Sequence, residues 1–209
     1  MKRILVVLVV VVAALAGCAH TGSDAPVATG PPVLSAVSAT ASPSPVDLVA
    51  LRRAAGIPDC PASTSLPAVQ GGLPDVELTC LGGGSTLRLG GLRGPMIVNF
   101  WAQWCPPCRS EAPDIRDFNQ LAKGKITMIG IDGNDPREDY AMEFASIEGW
   151  TYVQLYDPDK KSMAPLGLNS LPHSLFIDAN GVVVYHYVGA FGSVDQMRQL
   201  TAQYLKVTV

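Results

Sequence analysis

The segment Trp101-Ala102-Gln103-Trp104-Cys105-Pro106-Pro107-Cys108-Arg109 constrains this chain more than any other. Before it runs Met96-Ile97-Val98-Asn99-Phe100-Trp101, a short apolar stretch that reads as a buried strand. After it, from Pro106 to Lys123, Ile115, Phe118 and Leu121-Ala122 fall at helical spacing, with Pro113 inside the pattern predicting a kink. A Cys-x-x-Cys at a strand-to-helix junction has a mechanical meaning. The first thiol stands at the positive end of the helix dipole, which lowers its pKa, and the second lies one turn along, within disulfide reach. One thiol is then the nucleophile and the other resolves the mixed disulfide. Half of a zinc site is the competing reading, but zinc needs four ligands. The other cysteines after the leader, Cys60 and Cys80, are twenty apart, and His20, His173 and His186 do not cluster in sequence. No metal is therefore expected. A purely structural role is also poor, because so small a loop constrains the unfolded chain little.

The N-terminus reads Met1-Lys2-Arg3, then an apolar run from Ile4 to Leu15, the charged and apolar regions of an export signal. The run is shorter than the roughly 18 apolar residues of a membrane span. It closes on Leu15-Ala16-Gly17-Cys18, which resembles the bacterial lipobox and implies a lipid on Cys18. Residues 1–17 are read as the signal and 18–45 as the lipidated cysteine and a flexible tether. Ala19 to Pro45 is Ala, Ser, Thr, Pro and Gly without periodicity, and offers too little apolar surface to offset its ordering entropy. Residues 46–209 form the expected domain. An exported chain permits disulfides, and with Cys105 and Cys108 assigned, Cys60 and Cys80 are by elimination the candidate structural pair.

Ser44-Pro45-Val46-Asp47 offers an N-cap, a proline in the first turn and an acid, and Leu48, Leu51 and Ala55 fall on one helix face before Gly56. Val76 to Cys80 and Thr86 to Leu89 alternate around Gly82-Gly83-Gly84, a β-hairpin rather than a phosphate loop, since no Lys-Ser/Thr follows. Ile126–Ile131 and Tyr152–Tyr156 read as strands, Pro136–Gly149 and Asp157–Leu166 as helices. Ser174–Ile177 and Val182–Val188 read as a hairpin through Asp178-Ala179-Asn180-Gly181, and Val194–Leu205 as a closing helix. The order is that of an α/β sheet with mixed strand directions. With 48% hydrophobic residues the chain has a real core, and a net charge of −3 gives no basic surface for nucleic acid.

Val98-Asn99-Phe100-Trp101-Ala102-Gln103-Trp104-Cys105-Pro106-Pro107-Cys108-Arg109-Ser110-Glu111 resembles the active-site segment of the thioredoxin superfamily, and more narrowly its TlpA/ResA-like extracytoplasmic group. The similarity runs from about Pro58 to Val209 and includes Leu171-Pro172-His173-Ser174-Leu175-Phe176-Ile177-Asp178. It implies a thioredoxin-like α/β fold with an N-terminal β-hairpin extension and a central β-α insertion around Asn134 to Tyr156. It implies a cis Pro172 facing the disulfide, and a backbone there that pairs with a substrate segment. Trp101 is expected in the core, Trp104 over the exposed side of the disulfide, and His173 toward solvent. Thioredoxin carries a buried Asp where this chain has Asn99, so another group must take the proton of Cys108; Glu111 matches a Glu of the ResA-like members. The activity implied is thiol–disulfide exchange with extracytoplasmic protein thiols and a membrane redox donor or acceptor, without cofactor, at the outer face of the cell membrane. Reduction of apo-cytochrome c is one form of it; the direction of electron flow is left open. A non-catalytic binding module is an alternative. A peroxiredoxin-like peroxidase is another, although Gln103 to Cys105 lacks the Thr-x-x-Cys it needs.

Overall fold

The computed structural model describes residues 47–209. The expected signal, Cys18, the tether, His20 and the Ser44-Pro45 cap lie outside the described residues. The first helix, α1 (Leu48–Ala54), is capped by Asp47, whose carboxylate accepts the Ala50 N–H at 2.9 Å. It ends ahead of Gly56, which takes the left-handed conformation at φ 72°.

Strands β1 (Glu77–Cys80) and β2 (Thr86–Arg88) form the expected hairpin, with Leu78 opposite Leu87. Gly82 in its turn has φ 85°, a side chain there would meet the Leu48 carbonyl at 2.9 Å, and its N–H donates to Glu138 at 2.8 Å. Then come β3 (Met96–Trp101), α2 (Pro106–Leu121), β4 (Thr127–Gly133), α3 (Glu138–Ile147) and β5 (Val153–Asp157). The chain closes with β6 (His173–Ile177), β7 (Val183–Val188) and α4 (Val194–Leu200). The seven strands make one sheet in the order β2-β1-β5-β4-β3-β6-β7. β3, β4 and β5 run parallel, and the strands outside them pair antiparallel.

Every residue of β3 is buried, which is why its sequence is apolar without alternation. Ile97 and Trp101 face a core completed by Ile115 and Phe118 of α2, Met142 and Phe144 of α3, and Met197 of α4. Met96, Val98 and Phe100 face a second core to which no α-helix contributes; Cys60, Leu73, Met163 and Leu168 cover it from irregular segments and Leu89 from a single 3-10 turn. On the helical face Trp101 meets Trp150 edge-on with ring centroids 4.8 Å apart, and Phe144 lies 5.5 Å from Trp101. Both indole N–H groups are used, that of Trp101 on Gln154 at 3.1 Å and that of Trp150 on the Ala112 carbonyl at 3.2 Å.

Helix α2 runs through Pro113, which sits on the exposed face, where the lost backbone bond falls toward solvent. Two expectations are corrected. Asp157–Leu166 is a series of turns. Lys160 is left-handed at φ 58°, and the Asp157 carboxylate gathers the Lys161 and Ser162 amides and the Ser162 hydroxyl, so the backbone donors serve a side chain instead of a helix. The last helix changes at Thr201 into a π turn, Thr201–Leu205.

Arg52 is buried, which its place in an amphipathic pattern did not reveal. It donates to the Leu81 and Gly83 carbonyls at 3.0 and 2.6 Å and pairs with Asp59, so its charge is accommodated. It thereby holds α1 against the hairpin turn beside the Cys60–Cys80 disulfide. That disulfide belongs to the core on the face away from the helices. Converting Cys60 and Cys80 to Ala is expected to remove about 3 kcal/mol of stability, measured by urea denaturation, while the alkylation rate of Cys105 in the reduced protein stays unchanged.

Candidate active site

The site is built where β3 ends and α2 begins. Cys105 is the N-cap of α2, with extended backbone angles, and is bonded to Cys108 with Cα atoms 5.3 Å apart. Pro106 and Pro107 fill the first helical positions, where a missing N–H is no loss to the helix but removes two donors from the reach of sulfur. The Cys108 N–H points at Cys105 Sγ at 3.3 Å. The Arg109 amide does not join it, donating instead to the Cys105 carbonyl at 3.1 Å. The Arg109 guanidinium is also turned aside, donating to the Gln103 carbonyl at 3.2 Å and lying 5.2 Å over the Phe144 ring. The two cysteines are equally buried in this disulfide form, Cys105 being 2% exposed and Cys108 1%.

Trp101 lies in the core as expected, and Trp104 is 47% exposed, its indole N–H reaching the Asn134 carbonyl at 3.3 Å. Pro172 follows a cis peptide bond, and the pairing of β6 with β3, which sets His173 opposite Phe100, brings it to the end of β3 beside the disulfide. Its carbonyl already accepts the Gly189 N–H at 3.0 Å. The neighbouring Leu171 makes no backbone hydrogen bond among the described residues. His173 does not face solvent, which corrects the sequence reading; it is 6% exposed and paired with His186. It starts a strand whose odd positions point into the second core, so position in the strand decided its burial.

Glu111 is the decisive addition. It is 1% exposed, three residues after Cys108 on the inner face of α2. One carboxylate oxygen accepts from the Asn99 amide at 3.0 Å, the other from the Phe191 N–H at 2.8 Å. The same Asn99 nitrogen donates to Ser174 at 3.1 Å. Burial pushes the Glu111 carboxyl up to about 7; the Phe191 and Asn99 hydrogen bonds oppose it and Asp114 adds to it. Asn99 is therefore a hydrogen-bond donor to the buried Glu111 carboxyl.

A second acid lies at the end of β4. Asp132 is fully buried opposite Trp101, and neither of its oxygens has a partner among the described residues. Burial, followed by the charges of Asp135 and Glu138, raises its carboxyl to about 9. Neither Asp132 nor the fully buried Asp135 was singled out in the sequence. The only trace was an Asp ending an apolar run.

The redoxin family pattern matches residues 63–201. The chain belongs to the redoxin family. It is 33% identical over 132 residues to the thiol:disulfide interchange protein DsbE of Pseudomonas fluorescens biotype C, covering 63% of this chain and 72% of that one. Of the other DsbE proteins matched it spans 50–61% of their length. The fold superposes on that of MTB DsbF with a TM-score of 0.55 at 28% identity, over 61% of this chain and 94% of that one. A secreted Mycobacterium tuberculosis disulfide oxidoreductase gives the same TM-score at 24% identity, over 62% and 96% of the two chains, and supports the fold alone. The redoxin chain described here is thus a DsbE-like, thioredoxin-fold thiol-disulfide oxidoreductase whose redox-active disulfide is Cys105–Cys108.

The two raised acids give stability a defined pH dependence. Native Glu111 holds its proton up to about pH 7 while its ordinary value is 4.5, so its burial costs nothing below 4.5 and progressively more as pH rises to 7. The full cost is roughly 3 kcal/mol. Glu111→Gln is expected to flatten the fall in stability across that window, and Asp132→Asn the part that continues to about pH 9, both read from denaturant midpoints against pH.

Proposed function

We propose that this redoxin is a membrane-tethered reductant of disulfides in extracytoplasmic proteins. The substrate class is the cysteine pair of an apo-cytochrome c, which the TlpA/ResA resemblance implies. In this reading residues 1–17 are the signal, Cys18 carries the lipid, 18–45 form the tether and the domain from 46 onward works at the outer membrane face. The order of basic residues, apolar run and Leu15-Ala16-Gly17-Cys18 supports the anchor, and the Cys60–Cys80 bond fits a compartment that permits disulfides.

The observation that carries the direction is the single amide, that of Cys108 at 3.3 Å, offered to Cys105 Sγ. A strong oxidant of this fold stabilises its reduced form by stabilising the thiolate. Here two prolines withhold their donors, the Arg109 amide is spent on a carbonyl and its guanidinium lies over Phe144. The thiolate gains little, so the dithiol gives up its electrons readily.

In the reducing direction the Cys105 thiolate attacks one sulfur of the substrate disulfide and expels the other as a thiolate. Cys108 then passes its proton to the Glu111 carboxylate, through solvent or directly, and attacks Cys105 Sγ. The substrate leaves as a dithiol and the protein as the Cys105–Cys108 disulfide, two electrons having moved. A membrane redox donor restores the dithiol. A substrate segment docks by strand addition beside cis Pro172. Because the Pro172 carbonyl is occupied by Gly189, the free backbone groups are those of Leu171. Trp104, one residue before Cys105, supplies an exposed aromatic face.

The redox potential of the Cys105–Cys108 couple is expected near the thioredoxin value of about −270 mV; a value near about −120 mV would make the protein an oxidant and overturn the direction. Cys108→Ser should trap substrate on Cys105, and Cys105→Ser should trap none and lose insulin reduction; an unmodified protein that does not reduce insulin would leave only the binding-module reading. Mass spectrometry of membrane-extracted protein should find a diacylglycerol adduct on an N-terminal Cys18, and a mature chain beginning elsewhere would remove the tether from this account.

A further inference from the structure

His173 and His186 lie thirteen residues apart in sequence, and the β6–β7 pairing makes them diagonal neighbours, His173 opposite Val188 and His186 opposite Leu175. Their rings lie with centroids 4.9 Å apart, and His186 Nε2 stands 2.8 Å from His173 Nδ1. On the far side of the His173 ring, Ser170 Oγ is 3.1 Å from Nε2. The catalytic chemistry derived above uses none of these three side chains.

The contacts accommodate a tautomer that presents a ligand. With Ser170 Oγ accepting the Nε2–H of His173, the Nδ1 lone pair is left facing His186. An oxygen holding the outer N–H of a ring is the usual support of a metal-ligating histidine. His186 is exposed on β7, at the edge of the sheet, so its other nitrogen can carry the proton in solvent and turn a second lone pair inward.

We propose that His173 and His186 form a bis-imidazole site for a first-row divalent metal ion, copper(II) in preference to zinc(II), with solvent completing the coordination. Imidazole suits both ions, and the preference follows the general order of affinities. No third His, Cys, Asp or Glu joins the pair among the described residues, so the remaining positions face water on the open side of His186. In the tetragonal geometry of copper(II), metal–nitrogen bonds of about 2.0–2.1 Å place two cis nitrogens about 2.9 Å apart. The two ring nitrogens already stand 2.8 Å apart, so the rings need only turn their lone pairs toward a common point, a motion within reach of an exposed side chain on an edge strand. The ion replaces the hydrogen shared between the rings and sits one residue from cis Pro172.

The test uses the full chain with both disulfides intact and any free Cys18 thiol alkylated, so that no thiolate competes. Calorimetric titration with copper(II) chloride, and separately with zinc chloride, is expected to show one equivalent bound, copper more tightly. His186→Ala should abolish that binding without changing the metal-free melting temperature, Ser170→Ala should weaken it about tenfold, and His20→Ala should leave it unchanged. One-equivalent binding that survives in His186→Ala, that depends on His20, or that is absent from the unmodified protein overturns the proposal.

Discussion

A strand apolar on both faces must be covered on both, and β3 imposes that requirement on everything around it. Its two neighbours place it inside the sheet, parallel to β4 and antiparallel to β6. Parallel pairing with β4 requires a crossover, which α2 provides, and the crossover makes the helix begin where the strand ends. The disulfide sits in that junction. Antiparallel pairing with β6 brings the start of β6, and so Pro172, to the same end. The two halves of the site, nearly seventy residues apart in the chain, are therefore neighbours because one strand has two partners of opposite direction.

The only polar side chain of β3, Asn99, spends its amide on that arrangement. One nitrogen ties Ser174 of β6 and Glu111 of α2, and Glu111 in turn holds the Phe191 amide ahead of α4. A carboxyl buried this way is affordable only while it is protonated or well solvated by donors, and two donors leave it poised near neutrality. Asp132, with no donors, is held further up and stays neutral. The carboxyl on the helix of Cys108 is thus poised to gain or lose a proton near neutrality, and the guanidinium of Arg109, next to Cys108 in the chain, is drawn off to an aromatic face.

Much of this was legible in the sequence, because it was local. The boundaries of β3 match the apolar run residue for residue, and the hairpin follows from alternation around three glycines. The N-terminus of α2 follows from Cys105 and its prolines. The cis bond at Pro172 was implied by the family resemblance alone. What failed depended on competition or distance. At Asp157 a side chain outcompeted the helix for backbone donors, which propensity does not register. His173 was misread because the adjacent proline drew attention to the loop, whereas the residue already belongs to β6 and points into its core. Pairings such as Asn99 with Glu111, or His173 with His186, need the sheet register before they can be seen.

The exchange of an acid in β3 for Asn99, with the acid moved to Glu111, has a consequence for how the thiols are controlled. A carboxyl on a strand is fixed by two neighbouring strands and cannot follow the chemistry. Glu111 rides on the same helix as Cys108, one turn on, so any shift of that helix as the disulfide opens moves the acid and the thiol together. Its opposite anchor, the Phe191 amide, belongs to the segment leading into α4, and α4 packs on the same core through Met197. The buried carboxyl of Glu111 is thereby referenced to the helix on one side and to the C-terminal segment on the other. Asn99 keeps the register between them without adding a charge of its own, which a second carboxylate at 3.0 Å from Glu111 would have done at the cost of driving one of the pair to stay protonated.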